Sequence, residues 1–166
     1  TGGSDGIGKA LVEQFLALGA KVATCGRSQE KLHQLQMQHA GASLFLKGVD
    51  VSKEQECEQF IADVVHTWGQ IDVLINNAGM HARGDLEKID PADVAAMVDI
   101  NLRAPMVLSC AAIPFLRKAG SGAIVMVGSL AGRAPLQGSV TYSGTKAGLR
   151  AFAYGLADEL KDANIN

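Results

Sequence analysis

The chain has 166 residues, 48% of them hydrophobic, and its 15 lysines and arginines nearly balance its 17 aspartates and glutamates. This is the length and composition of one globular domain with a sizeable core, and the absence of a basic run argues against nucleic acid or an anionic membrane as partner. Cys25, Cys57 and Cys110 are widely spaced, which argues against a disulfide framework and a zinc site. Without a signal-peptide pattern, a cytoplasmic location is the default expectation.

Hydrophobic periodicity predicts alternating helices and strands along the whole chain. The predicted helices cover residues 7–18, 28–39, 53–67, 91–118 and 141–162, and the predicted strands cover 21–25, 43–49, 71–76 and 123–128. Ser52 is the predicted N-cap of the third helix, and Pro105 and Pro114 are expected to interrupt the fourth. The alternation predicts one α/β domain over residues 1–166, with a doubly wound parallel sheet in three α/β/α layers.

A Tyr-x-x-x-Lys pattern lies at the start of the last predicted helix. Tyr142 and Lys146 are spaced i, i+4, so their side chains leave the same helical face one turn apart. An ammonium beside a phenol stabilises the ionised phenol, so the tyrosine is predicted to exchange protons near neutral pH. Ser129 closes an apolar strand, at the edge of the sheet where ligands bind in open α/β folds. An ordinary amphipathic helix also explains the bare Tyr-x-x-x-Lys pattern.

Glycines at positions 2, 6 and 8 come directly before the first predicted helix. Small residues let a backbone approach a pyrophosphate, and the N–H groups and dipole of a helix N-terminus attract it. The spacing G-x-x-x-G-x-G differs from G-x-G-x-x-G, and a tight turn without a ligand explains the bare pattern equally well. Further along, Asp50-Val51 ends a predicted strand, and Asn-Asn-Ala-Gly at 76–79 follows another.

Together these motifs resemble those of the short-chain dehydrogenases/reductases, in that family's order and over essentially the whole chain. The resemblance implies a Rossmann-like fold and hydride transfer between a nicotinamide cofactor, NAD(P), and a ketone or secondary alcohol. Tyr142 is then the general acid/base, Lys146 assists the phenol and holds the nicotinamide ribose, and Ser129 binds the carbonyl oxygen. The matching residues are Thr1, Gly2, Gly3, Ser4, Asp5, Gly6, Ile7, Gly8, Asp50, Val51, Asn76, Asn77, Ala78, Gly79, Asn101, Ser129, Tyr142 and Lys146.

The same resemblance assigns residues to the cofactor. The glycine turn is expected to hold the pyrophosphate, Asp50 the adenine amine and Val51 the adenine ring, although Asp50 also suits the N-terminus of the following helix. No spacing of histidines or cysteines predicts a metal site. The residues expected to bind the cofactor are Gly2, Ser4, Asp5, Gly6, Ile7, Gly8, Arg27, Asp50, Val51, Asn77, Ala78, Gly79, Tyr142 and Lys146.

The residues that end the predicted strand 21–25 indicate which cofactor is preferred. An acidic residue there binds the ribose diol of NAD, whereas an arginine accommodates the 2′-phosphate of NADP. This chain has Gly26-Arg27 at that point, and a guanidinium makes charge-assisted bonds to phosphate. Asp5 argues against NADP, because NADP-preferring members of the family often carry a basic residue in the glycine turn. NADP(H) is favoured, and NAD(H) is possible.

Asn101 is the fourth expected catalytic residue. It precedes Pro105 by four positions, so within a helix its carbonyl loses the i+4 donor and the helix bends. In the family an Asn at this position holds a water that links the lysine to solvent. A capped junction between two helices is the alternative. Among the four histidines, His81 alone follows Asn-Asn-Ala-Gly and could border the substrate.

The resemblance also implies an assembly and a partner. In the family, helices matching 91–118 and 141–162 pack against symmetry mates, so a homodimer or homotetramer is expected, with a small carbonyl or alcohol as substrate. A nucleotide-sensing or scaffolding protein is the alternative from another class, although pure binding has no need for the catalytic set. The outer apolar residues of these two helices are Met106, Cys110, Phe152 and Tyr154.

The two ends of the chain suggest that the natural protein is longer. Thr1 already belongs to the glycine turn, so the strand that feeds this turn is expected before it, at the centre of the sheet. Residues 164–166 resemble the opening of a further strand. A polypeptide limited to residues 1–166 is expected to fold poorly.

Overall fold

The structure, a computed structural model, describes residues 1–166 as helices and strands in alternation. The strands are β1 (Val22–Gly26), β2 (Leu44–Gly48), β3 (Val73–Asn76) and β4 (Ala123–Met126). The helices are α1 (Gly6–Ala17), α2 (Gln29–Gln38), α3 (Glu54–Trp68), α4 (Pro91–Val98), α5 (Ala104–Ala119) and α6 (Val140–Leu160). The predicted order of elements is confirmed, with boundaries shifted by one or two residues in most of them.

All strand pairs are parallel, and they form two separate ladders. β1 pairs with β2 in the register Val22 to Leu44, and β3 pairs with β4 in the register Val73 to Ala123. No ladder joins β1 to β3. Helices α1 and α2 pack on β1 and β2, whereas α3 packs along α5 and α6 contacts α4 and β4. The predicted doubly wound α/β architecture is confirmed, and the sheet is open at its centre.

An apolar slot of about 470 Å³ lies between β1 and β3. Residues 1 and 2 are hydrogen-bonded to the two strands beside it. The Thr1 amine donates to the Ile75 carbonyl of β3 at 2.7 Å, and Gly2 N–H donates to the Cys25 carbonyl of β1 at 2.9 Å. Burial lowers the pKa of the Thr1 amine from its ordinary value. Residues 1 and 2 therefore bond to both flanking strands, as the last residues of a central parallel strand do. The slot is lined by Leu11, Val12, Phe15, Ala23, Phe60, Ile61, Val64, Trp68 and Leu74, among others.

Two predicted helix features are wrong in detail. The N-cap of α3 is Lys53 and not Ser52, whose hydroxyl donates instead to Asp50 Oδ1 at 2.8 Å. The prolines do not break the long helix: α4 leads into α5 through a π-helical turn, Asp99–Arg103, and Pro114 lies inside α5 without ending it. In a π turn a carbonyl pairs with the N–H five residues later, so a carbonyl that lacks the N–H of Pro105 as its i+4 donor can use the next one and the helix continues.

The main core lies between α3, α5 and the strands. Cys57, Phe60, Ile61 and Val64 face inward from α3, as predicted, and Leu108 and Leu116 meet them from α5. The helical segment Pro91–Ala119 is long and apolar enough by length and composition to cross a membrane, but its inner face is part of this core. A buried helix in the core of a globular domain can have the same length and apolar composition.

The end of the chain pairs with the sheet. After α6, Ile165 forms a parallel bridge to Gly122, and Ile124 N–H donates to the Asn166 carbonyl at 2.7 Å. Ile165 is 3% exposed. Residues 164–166 thus begin to extend the ladder beyond β4, in agreement with the prediction of a further strand there.

Candidate active site

The glycine turn leads directly into α1. Gly2 and Gly6 have φ values of +68° and +51°, which L side chains rarely adopt, so the turn depends on glycine at both positions. Asp5 caps the helix, since its carboxylate accepts from Gly6 N–H at 2.8 Å. The same carboxylate forms an ion pair with Lys31 of α2, whose hydrogen bond holds the pKa of Asp5 below its ordinary value. A cation from α2 therefore lies beside the turn.

Gly8 provides the closest approach in the turn. A Cβ built on Gly8 would lie 2.1 Å from the Gly2 carbonyl oxygen and 2.5 Å from Asn77 Nδ2. No side chain fits this space, so α1 and the turn can meet only through a glycine. This close backbone packing is what a pyrophosphate-binding turn requires.

Asn77 and Ala78 join the turn to the end of β3. Asn77 Nδ2 donates to the carbonyls of Thr1 at 3.0 Å and Gly2 at 3.3 Å. The Thr1 hydroxyl accepts from the N–H groups of Asn77 at 3.2 Å and Ala78 at 3.1 Å. The structure thus brings the glycine turn and the Asn-Asn-Ala-Gly motif together, with Gly79 next in the chain.

Asn101 anchors the loop after β3. Its side chain bonds both backbone groups of Met80, accepting from the N–H and donating to the carbonyl at 2.8 Å each. Nδ2 also lies 3.3 Å from the Thr145 hydroxyl on α6. Asn101 is fully buried in the π-helical turn. Its amide side chain is therefore engaged by protein groups, and the role of Asn101 in holding a water stays a prediction.

Tyr142 and Lys146 share one face of α6. The Lys146 ammonium lies 5.8 Å from the centre of the Tyr142 ring and donates to the Val127 carbonyl, just after β4, at 2.8 Å. Burial lowers the pKa of the Lys146 ammonium from its ordinary value. The buried amine is thus held at the carboxyl end of β4, with its charge close to the ring of Tyr142.

Ser129 lies at the same end of the sheet. Its hydroxyl accepts from Ala131 N–H at 3.2 Å and thereby caps the short helical turn Leu130–Gly132. Gly132 packs against the α6 backbone, where a Cβ would come within 2.7 Å of the Lys146 carbonyl group. Ser129 and Tyr142 make no direct hydrogen bond, and the hydroxyl proton of each is free for another partner.

The closest aromatic contact in the site is between His81 and Tyr142, and no pattern in the sequence predicted it. The rings of His81 and Tyr142 are stacked, with centroids 4.2 Å apart and planes inclined by 26°. His81 Nε2 lies 3.0 Å from the Ser139 hydroxyl, at the start of α6. The only sequence signal was the position of His81 just after Asn-Asn-Ala-Gly, which predicted proximity to the substrate but not contact with the tyrosine.

The predicted adenosine side of the site is more open. Arg27 is exposed at the end of β1, and Ser4 packs against the neighbouring Gly26. Burial raises the pKa of Asp50, but hydrogen bonds from Ser52 outweigh it and bring the net pKa below its ordinary value. The carboxylate of Asp50 is thus already bonded within its own turn, and Val51 follows it half-buried.

These residues form one connected surface along the carboxyl ends of β1, β3 and β4. The glycine turn offers backbone N–H groups and a helix N-terminus to a phosphate, while Ser129, Tyr142 and Lys146 provide two hydroxyls and a cation at one place. Such a surface fits a dinucleotide beside an acid/base group. No group of three or more His, Cys, Asp or Glu side chains is placed to hold a metal ion.

Comparison with known proteins agrees with this geometry. The chain is 36% identical to an uncharacterised oxidoreductase of Staphylococcus saprophyticus over 96% of its own length and 65% of the relative's. It is 31% identical to an NADP-dependent 3-hydroxy acid dehydrogenase of Shigella flexneri, over 99% of the chain and 66% of that protein. The chain spans about two thirds of the length of these curated relatives.

Solved structures show the same fold. A metagenomic short-chain oxidoreductase in complex with NADP superposes with a TM-score of 0.94 at 33% identity, over 99% of this chain and 76% of that one. A short-chain dehydrogenase from Streptomyces avermitilis gives a TM-score of 0.93 at 32% identity, over 99% of this chain and 61% of that one. The short chain dehydrogenase family matches residues 1–166. The chain therefore belongs to the short-chain dehydrogenase family.

Proposed function

We propose that the protein is an NADP-dependent oxidoreductase that transfers a hydride between the cofactor and a ketone or secondary alcohol. The observation that carries the proposal is the placement of Tyr142 and Lys146 on one face of α6, against which the short turn capped by Ser129 packs just after β4. A protein that only binds a nucleotide has no need for this acid/base arrangement. A small-molecule substrate and a cytoplasmic location are part of the proposal.

The chain's own groups handle the proton. In the reductive direction Tyr142 Oη donates a proton to the substrate oxygen, and Ser129 Oγ–H donates a hydrogen bond to the same oxygen. The buried Lys146 ammonium stabilises the phenolate that remains, because opposite charges attract more strongly where water is excluded. NADP supplies the hydride chemistry when bound. Asn101 supports the site by holding Met80 and contacting Thr145.

The residues around the glycine turn favour NADP over NAD. Arg27 provides an exposed guanidinium at the end of β1, where NAD-binding proteins carry a carboxylate. Asp5 argued against NADP in the sequence, but in the structure Lys31 pairs with it and offsets its charge. The NADP-bound structural neighbour and the NADP-dependent relative support the same choice.

Replacement of Tyr142 tests the proposed chemistry in the full-length protein. Tyr142→Phe keeps the ring but removes the proton donor, so turnover should be lost while the dissociation constant for NADPH stays within about twofold, since general acid/base groups contribute roughly 10² to 10⁴ in rate. Ser129→Ala should lower kcat by about 10² to 10³, as for an oxyanion donor. The measurement is NADPH absorbance with a panel of ketones and secondary alcohols.

The same assay separates the alternatives. A nucleotide-sensing or scaffolding protein would bind NADPH with no turnover of any carbonyl or alcohol in the panel. A Tyr142→Phe variant with turnover near that of the wild type would show that the acid/base assignment is wrong. A control variant, His66→Phe on the exposed side of α3, should behave as the wild type in both measurements.

A further inference from the structure

The hydroxyl of Tyr142 is not what orients its ring. No hydrogen bond from Tyr142 Oη to the chain is formed, and the nearby Lys146 ammonium is directed at the Val127 carbonyl. Only packing can then set the side-chain torsions of the tyrosine. The stacked contact with His81, at 4.2 Å between ring centres, is the aromatic contact available for this purpose.

His81 itself is fixed from two sides. Its neighbour Met80 is held by both hydrogen bonds of the buried Asn101 side chain, which sets the backbone just before the histidine. On the other side, Nε2 bonds to the Ser139 hydroxyl at 3.0 Å. The imidazole is therefore tied to the π-helical turn through its backbone and to the start of α6 through its ring.

The use of Ser139 is unusual for its position. Ser139 is the N-cap of α6, where a serine hydroxyl ordinarily accepts from a backbone N–H of the first turn. Its side chain makes no such bond, although the residue is only 3% exposed, and His81 is its hydrogen-bond partner. A capping bond has thus been exchanged for a bond to the imidazole. That exchange links the histidine to the helix that carries Tyr142.

We propose that His81 is a positioning residue that holds the Tyr142 ring in its proton-donating orientation. The inference rests on the proposed function, because it assigns His81 a part in the same proton transfer. His81 does not exchange a proton with the substrate: its effect passes through the phenol it stacks on. Hydrogen bonds connect the residues on both sides of Tyr142. Asn101 bonds to Met80 and to the Thr145 hydroxyl, and that hydroxyl donates to the Tyr142 carbonyl. On the other side, His81 bonds to Ser139 at the start of α6.

Three variants of the full-length protein separate the stacking from the hydrogen bond. His81→Ala removes both, and kcat should fall by about 10-fold, the scale of a lost aromatic contact and a misplaced reacting group. His81→Phe keeps an aromatic ring at this position, so its kcat should be close to that of the wild type. Ser139→Ala keeps the stacking but loses the hydrogen bond to the imidazole, so its kcat should fall by about threefold. The KM and dissociation constant for NADPH should stay within about twofold in all three. His66→Ala, exposed on α3, is the matched control.

The contact can also be measured without turnover. The imidazole proton resonances of His81, assigned by their loss in His81→Ala, should be displaced by the ring current of Tyr142 and move in Tyr142→Leu but not in Tyr154→Leu. Unmoved resonances in Tyr142→Leu would overturn the inference whatever the activity. So would an unchanged kcat in His81→Ala with a raised substrate KM, which would make His81 a substrate contact only. A wild-type protein that shows the ring-current shift but no turnover would instead overturn the proposed function.

Discussion

At the scale of single residues, Arg27 determines the predicted choice of cofactor. Its guanidinium is exposed and has no carboxylate within ion-pair distance, so it can form charge-assisted bonds to a 2′-phosphate. Arg27→Ala should weaken NADPH binding by about 1.5–3 kcal/mol, roughly 10- to 150-fold, and leave NADH binding nearly unchanged. Fluorescence titration of both reduced cofactors measures the difference.

A matched control separates local charge from net charge. Arg117→Ala, near the exposed end of α5, changes the total charge equally and should leave both dissociation constants unchanged. Equal losses for NADH and NADPH in Arg27→Ala would contradict a phosphate contact. If NADPH binding weakens in Lys31→Ala instead, the cation that pairs with Asp5 would be the phosphate ligand.

Prediction from sequence succeeds at this scale only for local patterns. Tyr142 and Lys146 share a face because helical geometry fixes the positions i and i+4, so their juxtaposition could be predicted. The bonds from Asn101 to Met80 and the stacking of His81 on Tyr142 join distant parts of the chain. These contacts depend on how loops and helices dock, and no periodicity in the sequence encodes that.

At the scale of secondary-structure elements, Gly8 sets how closely α1 approaches the turn before it. Gly8→Ala would place a methyl group 2.1 Å from the Gly2 carbonyl oxygen, and part of that contact is backbone that cannot move freely. We expect a loss of about 1–3 kcal/mol in the free energy of unfolding, as for overpacked sites, and weaker NADPH binding as the turn shifts. Urea unfolding and cofactor titration measure the two effects.

The control for Gly8 is another glycine in a helix with open space around it. A Cβ on Gly155 of α6 would meet no atom within 4 Å. Gly155→Ala should therefore leave cofactor binding unchanged and stabilise the fold by about 0.5–1 kcal/mol, because glycine is a poor helix former. A Gly8→Ala variant as stable as Gly155→Ala would show that the close approach is relieved without cost.

The outer faces of α5 and α6 carry the predicted assembly. Tyr154 is 63% exposed and lies beside Arg150, with Cys110 exposed and Met106 and Phe152 half-buried. We propose that these faces pair in a homodimer or homotetramer. Tyr154→Asp should then shift the full-length protein toward monomer in sedimentation velocity at micromolar concentration. Met37→Asp, at a side chain 66% exposed on α2, should not. A monomeric wild type would contradict the proposal.

Element boundaries illustrate what propensity can and cannot predict. Most helices end within two residues of the prediction, because glycines such as Gly69, with φ of +80°, stop them by backbone geometry. The effect of Pro105 was not predictable, since a missing N–H is compatible with a break, a kink or a local i+5 turn. In the structure the chain takes the last of these, a turn that packs against α6.

At the scale of the whole molecule, the sequence predicted the architecture and also the place where the sheet is open. Alternation of strands and helices was sufficient for the parallel α/β fold, because parallel strands need crossovers. The glycine turn at Thr1 indicated a strand before it, and the structure has a slot of about 470 Å³ between β1 and β3. Side-chain packing around the slot was beyond prediction, because it depends on α1 and α3 closing on it together.

The slot leads to a prediction about stability. A central parallel strand running into Thr1 would bury both of its faces and pair with β1 and β3, continuing the bonds that Thr1 and Gly2 already make to Ile75 and Cys25. An extension of five apolar β-branched residues before Thr1 should raise the free energy of unfolding by a few kcal/mol. This is about 1 kcal/mol per residue once 1.5–3 kcal/mol of burial is offset by 1–2 kcal/mol of ordering entropy. Urea unfolding measures the gain.

The matched control is an extension of the same length made of glycine and serine. It turns the buried Thr1 amine into a backbone amide just as the apolar extension does, but it offers no apolar side chains to the slot, so it should give only a small part of the gain. Hydrogen exchange locates the effect, because backbone N–H groups of β1 and β3 that face the slot should become protected only with the apolar extension. Equal stabilisation by both extensions would mean that replacement of the buried Thr1 amine, and not strand insertion, accounts for the gain.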